Sequence, residues 1–276
     1  MRQREESDAA ILRTFCYFCR MPSTAIRLSV AIITLNEERN IERCIRSVQP
    51  VADEVVVVDS YSTDRTKEIC EQLGARFLEN PFVDFVQQKN FALDSVTHDY
   101  VLSLDADEAL SEDLQRAILR IKDDCRFSAY RFNRLTNYCG QWIHHGGWYP
   151  DAKLRLWKRS AGRWSGSAIH ESVQLDDPAS VQWIKRDILH YSYYTIADHI
   201  TQINKFSSIS AQAYYQKGKK VTPIIHLVIY PFVTFISRYV FRLGFLDGYM
   251  GYVVCKSAAY TKYLKYLKLY QLRKRA

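Results

Sequence analysis

Two aspartates separated by one residue, Asp105 and Asp107, are the strongest candidates for chemistry in this sequence. They follow an apolar, strand-like run over residues 100–104, and Glu108 stands directly beside them. Because residues i and i+2 of a strand point the same way, both aspartates could lean toward one ligand. Two buried carboxylates repel each other unless a cation or a hydrogen-bonded ligand lies between them. The alternative is an exposed loop with helix-capping acids, since Ser111 opens a helix just after.

The elements that would position these aspartates alternate along the N-terminal half. We expect strands at residues 28–34, 54–59, 75–78 and 100–104, and helices at residues 38–48, 63–73, 85–96 and 111–122. This alternation with short connections is typical of a parallel sheet with helices on both faces, which binds ligands at the carboxyl ends of its strands. Polar residues follow three of the four strands, which favours the functional interpretation of the aspartate pair. They are Thr34, Asn36, Glu37, Asp59, Asp105 and Asp107.

Glycine-rich phosphate-binding motifs are absent from the sequence. No G-x-G-x-x-G follows the first strand, and no G-x-x-x-x-G-K-[ST] occurs anywhere. A bound nucleotide would therefore need another source of positive charge. A divalent ion held by Asp107, with most of its ligands from phosphate and water, would supply it.

The net charge of +8 is unevenly distributed over the 276 residues. Residues 217–276 contain twelve Lys and Arg against Asp247 alone, whereas the rest of the chain is slightly acidic. Residues 221–237 are strongly apolar but short for a bilayer span, so we expect a helix lying in the membrane interface or a buried helix. Further on, a tyrosine and leucine face opposes a lysine face, which suits an anionic membrane surface. Nucleic-acid binding is the alternative function of such a tail. We favour the membrane surface and therefore expect no nucleic-acid partner.

The remaining segments complete a four-part organisation. Residues 1–27 are expected to form a poorly ordered extension, and the Cys16-x-x-Cys19 pair within it lacks a second zinc-ligand pair. Residues 28–125 form the half that carries the candidate ligand edge. Residues 126–216 are rich in aromatics and glycine, which suits a substrate-facing half. Residues 217–276 form the basic amphipathic helical tail.

Four motifs stand in order along the chain, namely Thr34-Leu-Asn-Glu37, the run over residues 57–64, Gln88-Lys89-Asn90 and Asp105-Ala-Asp107. With these motifs, the sequence resembles the inverting family 2 glycosyltransferases of the GT-A fold. This resemblance covers residue 28 to the C-terminus, and later segments over residues 145–157 and 169–172 resemble the subgroup of β-1,4-glucosyltransferases that build the lipopolysaccharide inner core. It implies an α/β fold with a mostly parallel central sheet flanked by helices, and C-terminal amphipathic helices.

The resemblance implies that residues 28–125 are the nucleotide-sugar-binding half and residues 126–216 the acceptor-binding half. It also implies roles for individual residues. Asp59 would accept a hydrogen bond from the uracil imide, Asp105 would approach the ribose, and Asp107 would hold Mg²⁺ or Mn²⁺. Each residue also has a structural interpretation, as a turn, cap or solvated helix residue. The other implied nucleotide-binding residues are Thr34, Asn36, Glu37 and Lys89.

An inverting transfer also needs a carboxylate that takes the proton of the attacking hydroxyl. Glu171 is our candidate base, with Asp151 and Glu108 as alternatives, although Glu171 could be a polar residue at a strand end. Three further contacts are expected on the phosphate or acceptor side, namely Arg155, Trp148 and Trp164. Arg155 could equally pair with an acid on the sheet, and both tryptophans could be loop-core aromatics.

We therefore expect a peripheral enzyme on the cytoplasmic face of the bacterial inner membrane. It would transfer a sugar, which we expect to be glucose, from a UDP-sugar to a lipid-linked glycan of the lipopolysaccharide inner core. Another surface or polyprenyl-linked glycan is the alternative acceptor. A nucleotidyltransferase is disfavoured because no glycine-rich basic loop follows the first strand. A basic membrane or nucleic-acid adaptor is the non-enzymatic alternative, but it gives no reason for acids at successive strand ends.

Overall fold

A computed structural model of the protein describes residues 25–167 and 170–275. The expected extension, except residues 25–27, and the Cys16–Cys19 pair lie outside the described residues. The strands of the described part are β1 (Leu28–Thr34), β2 (Glu54–Asp59), β3 (Arg76–Glu79), β4 (Tyr100–Asp105), β5 (Glu108–Leu110), β6 (Ala129–Tyr138), β7 (Gln141–Ile143), β8 (Asp151–Lys158), β9 (Gly162–Ser167), β10 (His170–Leu175) and β11 (Val181–Tyr193). Its α-helices are α1 (Ile41–Val48), α2 (Thr66–Gln72), α3 (Phe85–Ser95), α4 (Glu112–Asp123), α5 (Ile196–Gln216), α6 (Tyr230–Ile236) and α7 (Gly248–Arg275).

One mixed sheet organises the body, in the order β3-β2-β1-β4-β8-β6-β11-β5, with β7 paired to β6. The strands of the N-terminal half, β1 to β4, are parallel to one another, as predicted. The sheet as a whole is less parallel than expected, because β8 joins β4 and β6 in antiparallel pairing and β5 joins β11 in the same way. A separate antiparallel hairpin, β9 and β10, carries Glu171.

The alternation of side chains along β1 explains why helices cover both faces of the sheet. All seven β1 residues are buried. Val30 and Ile32 pack in a cluster with α1 and α4, whereas Ala31 and Ile33 pack in a second cluster with α3 and Trp157. A strand that is apolar on both faces is typical of the parallel sheet of a three-layer α/β domain.

The apolar segment of the tail forms a helix over Ile224–Phe241, with α6 as its middle, and we name it the apolar helix. It is long and apolar enough to cross a membrane by length and composition, with a mean hydropathy of 1.6 and no residue of the window buried. Its exposed side chains include Val228, Phe232 and Phe241, which are 62%, 64% and 78% exposed. This exposure contradicts the buried-helix alternative. The exposed side chains together form a continuous apolar surface rather than isolated apolar residues.

The lysine face of α7 points in a direction that the helical pattern did not predict. Lys268 donates hydrogen bonds to the backbone and side chain of Asn204 and to Ser207 and Ser208, all on α5. Lys262 and Lys265 line a cavity between α5, the apolar helix and α7. These lysines therefore face the interior of the tail rather than an outer surface.

Candidate functional site

The carboxyl ends of β1, β2 and β4 meet at one edge of the sheet, as the sequence predicted. Thr34 lies opposite Asp59 in the β1–β2 register, and Ile33 lies opposite Asp105 in the β1–β4 register. Thr34 is buried and its hydroxyl has no hydrogen-bond partner among the described residues. A buried hydroxyl without a partner is unusual in a folded protein and marks a position where a ligand could bind.

Asp59 organises the turn that follows β2. Its carboxylate accepts hydrogen bonds from the Ser62 backbone N–H at 2.6 Å and the Ser62 hydroxyl at 2.5 Å. Asn36, which has a φ of 54°, joins this turn to the β1 loop by accepting a hydrogen bond from the Thr63 N–H at 2.8 Å. Both residues thus fulfil the turn role that was their alternative interpretation, and a carboxylate oxygen that accepts one bond retains a second lone pair for a ligand.

Asp105 is held by cationic side chains from two other elements. Lys89 Nζ of α3 lies 3.0 Å from its Oδ1, and Arg155 Nη2 of β8 lies 3.2 Å from its Oδ2. Burial opposes ionisation of Asp105, but the charges of Lys89 and Arg155 together outweigh it and hold the pKa of this carboxyl well below its usual range. The cation that the repulsion argument required next to the aspartate pair is therefore supplied, at Asp105, by the protein itself.

Lys89 also brings the candidate base to the same place. Its Nζ lies 3.4 Å from Glu171 Oε1 on β10 and 4.5 Å from the centre of the Trp164 ring. Lys89, Asp105, Arg155, Trp164 and Glu171 line one cavity of 410 Å³, which we name the Glu171 cavity. The structure thus unites a predicted nucleotide-binding residue with the predicted base.

Glu108, for which the sequence indicated no specific role beyond an alternative base, supports the turn around the aspartates. Its buried carboxylate accepts a hydrogen bond from the Asp105 N–H at 3.1 Å and one from Arg155 Nη2 at 2.6 Å, and lies 3.5 Å from Arg134. Burial lowers the pKa of Arg155, but the nearby Glu108 and Asp105 outweigh it and raise that pKa above its usual range. Glu108 is fully enclosed by these partners and is a poor candidate for a base.

The remaining N–H groups of Arg155 are notable because the side chain is only 3% exposed. Its Nε and Nη1 have no hydrogen-bond partner among the described residues, and the side chain lines the Glu171 cavity. A buried guanidinium with free donors is suited to binding an anionic group. The pair of Arg155 with acids of the sheet is confirmed, and its contact with phosphate stays a prediction.

Asp107 points to a different partner from Asp105. The strand ends at Asp105, so the same-side geometry of an extended strand does not persist. Asp107 Oδ2 lies 3.2 Å from His190 Nε2, at the end of β11, and the Asp107 backbone oxygen accepts a hydrogen bond from the Tyr191 N–H. The other ring nitrogen of His190 lies 3.4 Å from Thr136 Oγ1, which orients the imidazole.

His190 was missed in the sequence, although a histidine at the end of a strand run, Ile188-Leu-His-Tyr, was the available signal. Glu37 adds to the negative potential here. Burial raises the pKa of Glu37, the hydrogen bond from Asn40 opposes that rise, and the charges of Asp107 and Asp105 add to it. An acidic edge with an imidazole beside a carboxylate is chemically suited to a divalent cation.

The two tryptophans pack against other aromatic rings. Trp164 is 6% exposed, packs edge-to-face on Trp157 and carries Lys89 over its ring, which fits the loop-core alternative. Because Trp164 also lines the Glu171 cavity, its contact on the acceptor side stays a prediction. Trp148 lies away from the Glu171 cavity and packs edge-to-face against Tyr138 and His199. Both rings therefore fit the loop-core alternative better.

Asp151 is engaged by two cations. Arg134 Nη2 lies 2.7 Å and Lys153 Nζ 3.1 Å from its oxygens. Burial alone would raise the pKa of Asp151, but the charges of Arg134 and Lys153 outweigh burial and lower this pKa. A carboxylate with a lowered pKa is a weaker proton acceptor, which favours Glu171 as the base.

Comparisons with known proteins give the family. Residues 29–169 match Glycosyl transferase family 2. A glycosyltransferase of Rickettsia felis is 32% identical over 259 residues, which cover 88% of this chain and 89% of the relative. The lipopolysaccharide core biosynthesis glycosyltransferase LpsC of Rhizobium meliloti is 28% identical over 259 residues, which cover 88% of this chain and 92% of the relative.

A solved structure shows the same fold over nearly the whole length. The mannosyltransferase PcManGT of Pyrobaculum calidifontis, in complex with GDP-Man and Mn²⁺, superposes with a TM-score of 0.52 and 16% identity, covering 94% of this chain and 93% of that one. The GT-A architecture expected from the motifs is thereby confirmed. The protein is a glycosyltransferase, and the chain belongs to glycosyl transferase family 2.

Proposed function

We propose that the protein transfers a hexose from a UDP-sugar to a hydroxyl of a lipid-linked glycan, by a metal-dependent displacement that inverts the anomeric configuration. The observation that carries this proposal is the pair formed by Asp107 and His190 at the acidic edge of the sheet, beside the Glu171 cavity. Asp105, two residues before Asp107, lines this cavity and is held by Lys89. Donor diphosphate and acceptor hydroxyl would thus meet at the ends of β4 and β11.

The residues present fit a divalent ion. Asp107 Oδ2 and His190 Nε2 lie 3.2 Å apart, close enough for both side chains to hold one divalent ion. A carboxylate and an imidazole suit Mn²⁺, whereas Mg²⁺ prefers oxygen alone. Donor phosphates and water would complete the coordination. When bound, the ion would neutralise negative charge that develops on the departing diphosphate.

The chain's own groups would perform the rest of the displacement. The acceptor oxygen attacks the anomeric carbon, the bond from that carbon to the diphosphate oxygen breaks, and the hydroxyl proton passes to Glu171. Lys89 positions Glu171 by its 3.4 Å contact. The unpartnered N–H groups of Arg155 would bind an anionic part of the donor. Thr34, Asp59 and Asn36 would line the base and ribose end.

The lipid-linked acceptor and the membrane location rest on two supports. LpsC, 28% identical to this chain, is named for lipopolysaccharide core biosynthesis, which supports a lipopolysaccharide core acceptor. The exposed apolar helix supports peripheral association with a membrane, with its apolar side in the interface. We propose the cytoplasmic face of the inner membrane as that surface. Glucose as the donor sugar rests on the subgroup resemblance alone.

Calorimetry with UDP, with and without Mn²⁺, tests the donor site. We expect UDP to bind tightly only with Mn²⁺, and Asp107→Asn to weaken that binding by at least tenfold because a metal ligand is lost. Asp94→Asn is the matched control, since the Asp94 side chain is 57% exposed and pairs with Arg163 at the surface. The proposed site would be refuted if neither the wild type nor Asp94→Asn bound UDP, or if Asp107→Asn and Asp94→Asn bound it equally.

A further inference from the structure

The C-terminal part of the chain forms a further open cavity, of 570 Å³, away from the aspartates. It lies between α5, the apolar helix and α7, and we name it the tail cavity. Four cationic side chains line it, and no Asp or Glu among the described residues does. These cations are Arg238, Arg242, Lys262 and Lys265.

The four cations lack anionic partners in the described part of the chain, where none forms an ion pair with a carboxylate. Arg238 donates to the Gly146 backbone oxygen at 3.0 Å, and Lys265 lies over the Tyr214 ring at 4.2 Å. Burial, followed by the charges of Lys265 and Arg238, lowers the pKa of Lys262. Like charges that line one cavity repel one another, and a bound anion would relieve the repulsion.

The arrangement is built rather than incidental. Arg242 packs against Gly147, which has a φ of +78° and where an added Cβ would lie 2.5 Å from Arg242 Nη1. The Gly146 N–H also donates to the Arg242 backbone oxygen at 2.9 Å. The loop before β8 and the end of the apolar helix are thereby locked together. The two arginines are thus fixed at the wall that the cavity shares with the body.

The tail cavity lies on a route to the reaction centre. A neighbouring cavity of 370 Å³ shares Trp148 and Arg238 with it and is also lined by His190 and Arg134. Arg134 in turn lines the Glu171 cavity. A ligand whose anionic group occupied the tail cavity could therefore extend past Trp148 toward His190.

We infer that the tail cavity binds a phosphomonoester group carried by the lipid acceptor. One carboxylate ligand would balance only one of the four positive charges. A phosphomonoester carries a charge of about −2 and presents three acceptor oxygens, so it fits the cavity better. The exposed apolar helix forms one wall and would place the cavity at the membrane surface. The identification of the ligand as the acceptor rests on the proposed function. Phosphate binding itself can be measured without any UDP-sugar.

The test compares two double variants that remove the same charge. Lys262→Gln/Lys265→Gln alters the tail cavity, whereas Lys219→Gln/Lys220→Gln removes two exposed lysines that do not line it. Binding is measured by sedimentation with phosphatidylcholine vesicles that contain phosphatidic acid, a phosphomonoester, or phosphatidylglycerol, a diester, at matched surface charge. Equal thermal unfolding midpoints for the two variants confirm that both are folded.

We expect the wild-type protein and Lys219→Gln/Lys220→Gln to prefer phosphatidic acid by about tenfold, because of charge-assisted hydrogen bonds. Lys262→Gln/Lys265→Gln should bind both vesicles equally. Equal preference in the two double variants would overturn the inference. Binding of inorganic phosphate that depends on Lys262 and Lys265, without any vesicle preference, would show a free-phosphate site and overturn the lipid assignment. Failure of the wild type to bind UDP would instead overturn the proposed function alone.

Discussion

Replacing Glu108 with glutamine should destabilise the fold because it leaves Arg155 buried without its nearest counter-charge. The Glu108 side chain is completely buried, and Arg155 Nη2 lies 2.6 Å from it. Breaking a buried ion pair from one side costs about 3–5 kcal/mol. Asp105 remains 3.2 Å from the same nitrogen and glutamine keeps one acceptor oxygen, so we expect the lower end, about 3 kcal/mol.

Urea denaturation measures this loss. With a slope of about 3 kcal/mol per molar urea for a chain of this size, the midpoint should fall by about 1 M. Glu112→Gln is the matched control, since its side chain is 86% exposed and lies 3.7 Å from Arg116. That variant should change stability by less than about 0.5 kcal/mol.

A double variant separates the ion pair from other effects. Glu108→Leu/Arg155→Met removes both charges and should be more stable than Glu108→Gln, because no uncompensated charge stays buried. A midpoint for Glu108→Gln equal to that of Glu112→Gln would refute the assigned role of Glu108. A double variant less stable than Glu108→Gln would refute the electrostatic explanation.

Three further predictions address catalysis, pH and membrane binding. Glu171→Gln should lower kcat by about 10²–10⁴-fold and leave UDP binding intact, with the exposed Asp176→Asn as control. Burial lowers the pKa of His199 from 6.5 to about 4, so unfolded chains bind a proton first and stability should fall as pH drops from 6.5 toward 4. His199→Gln should flatten that decline in thermal unfolding, whereas His144→Gln should not. Phe232→Asp should reduce sedimentation with anionic vesicles, because a charge replaces an exposed apolar side chain.

Each of these has a contradicting result. Turnover by Glu171→Gln close to that of the wild type would remove Glu171 from the base role. A pH dependence unchanged in His199→Gln would mean that other groups cause the acid loss. If Phe232→Asp bound vesicles as well as the wild-type protein does, the apolar helix would not be the membrane contact. Point variants serve better here than deletion of residues 217–276, because α7 contributes Val254 and Leu269 to buried packing.

The parallel half of the sheet could be predicted because its strands are continuous apolar runs. β1 and β2 begin and end where the sequence placed them, and the Ser111 cap sets the start of α4 within one residue. The short strands β5 and β7 have three residues each, too few for a periodic pattern. The β9–β10 hairpin, which carries Glu171, is polar and glycine-containing, so its pairing carried little hydrophobic signal.

Side-chain partnerships were harder to predict than backbone elements. The positions of Asp105 and Asp107 indicated a site. Their different environments depend on Lys89 and Arg155 beside Asp105 and on His190 beside Asp107, and these partners are distant in sequence. The helical pattern of α7 gave its lysine face correctly but could not show that α5 packs against it. Periodicity identifies faces, whereas the neighbour of each face is set by tertiary packing.

Product analysis tests the central claim most directly. The purified protein is offered UDP-glucose, other UDP-sugars and GDP-mannose with a lipid-linked core acceptor, with Mn²⁺ or with a chelator, and the product is examined by NMR of its anomeric proton. We predict a β-linked product from an α-linked UDP-sugar, formed only with the metal. An α-linked product, or equal yield in chelator, would contradict a metal-dependent inverting transfer.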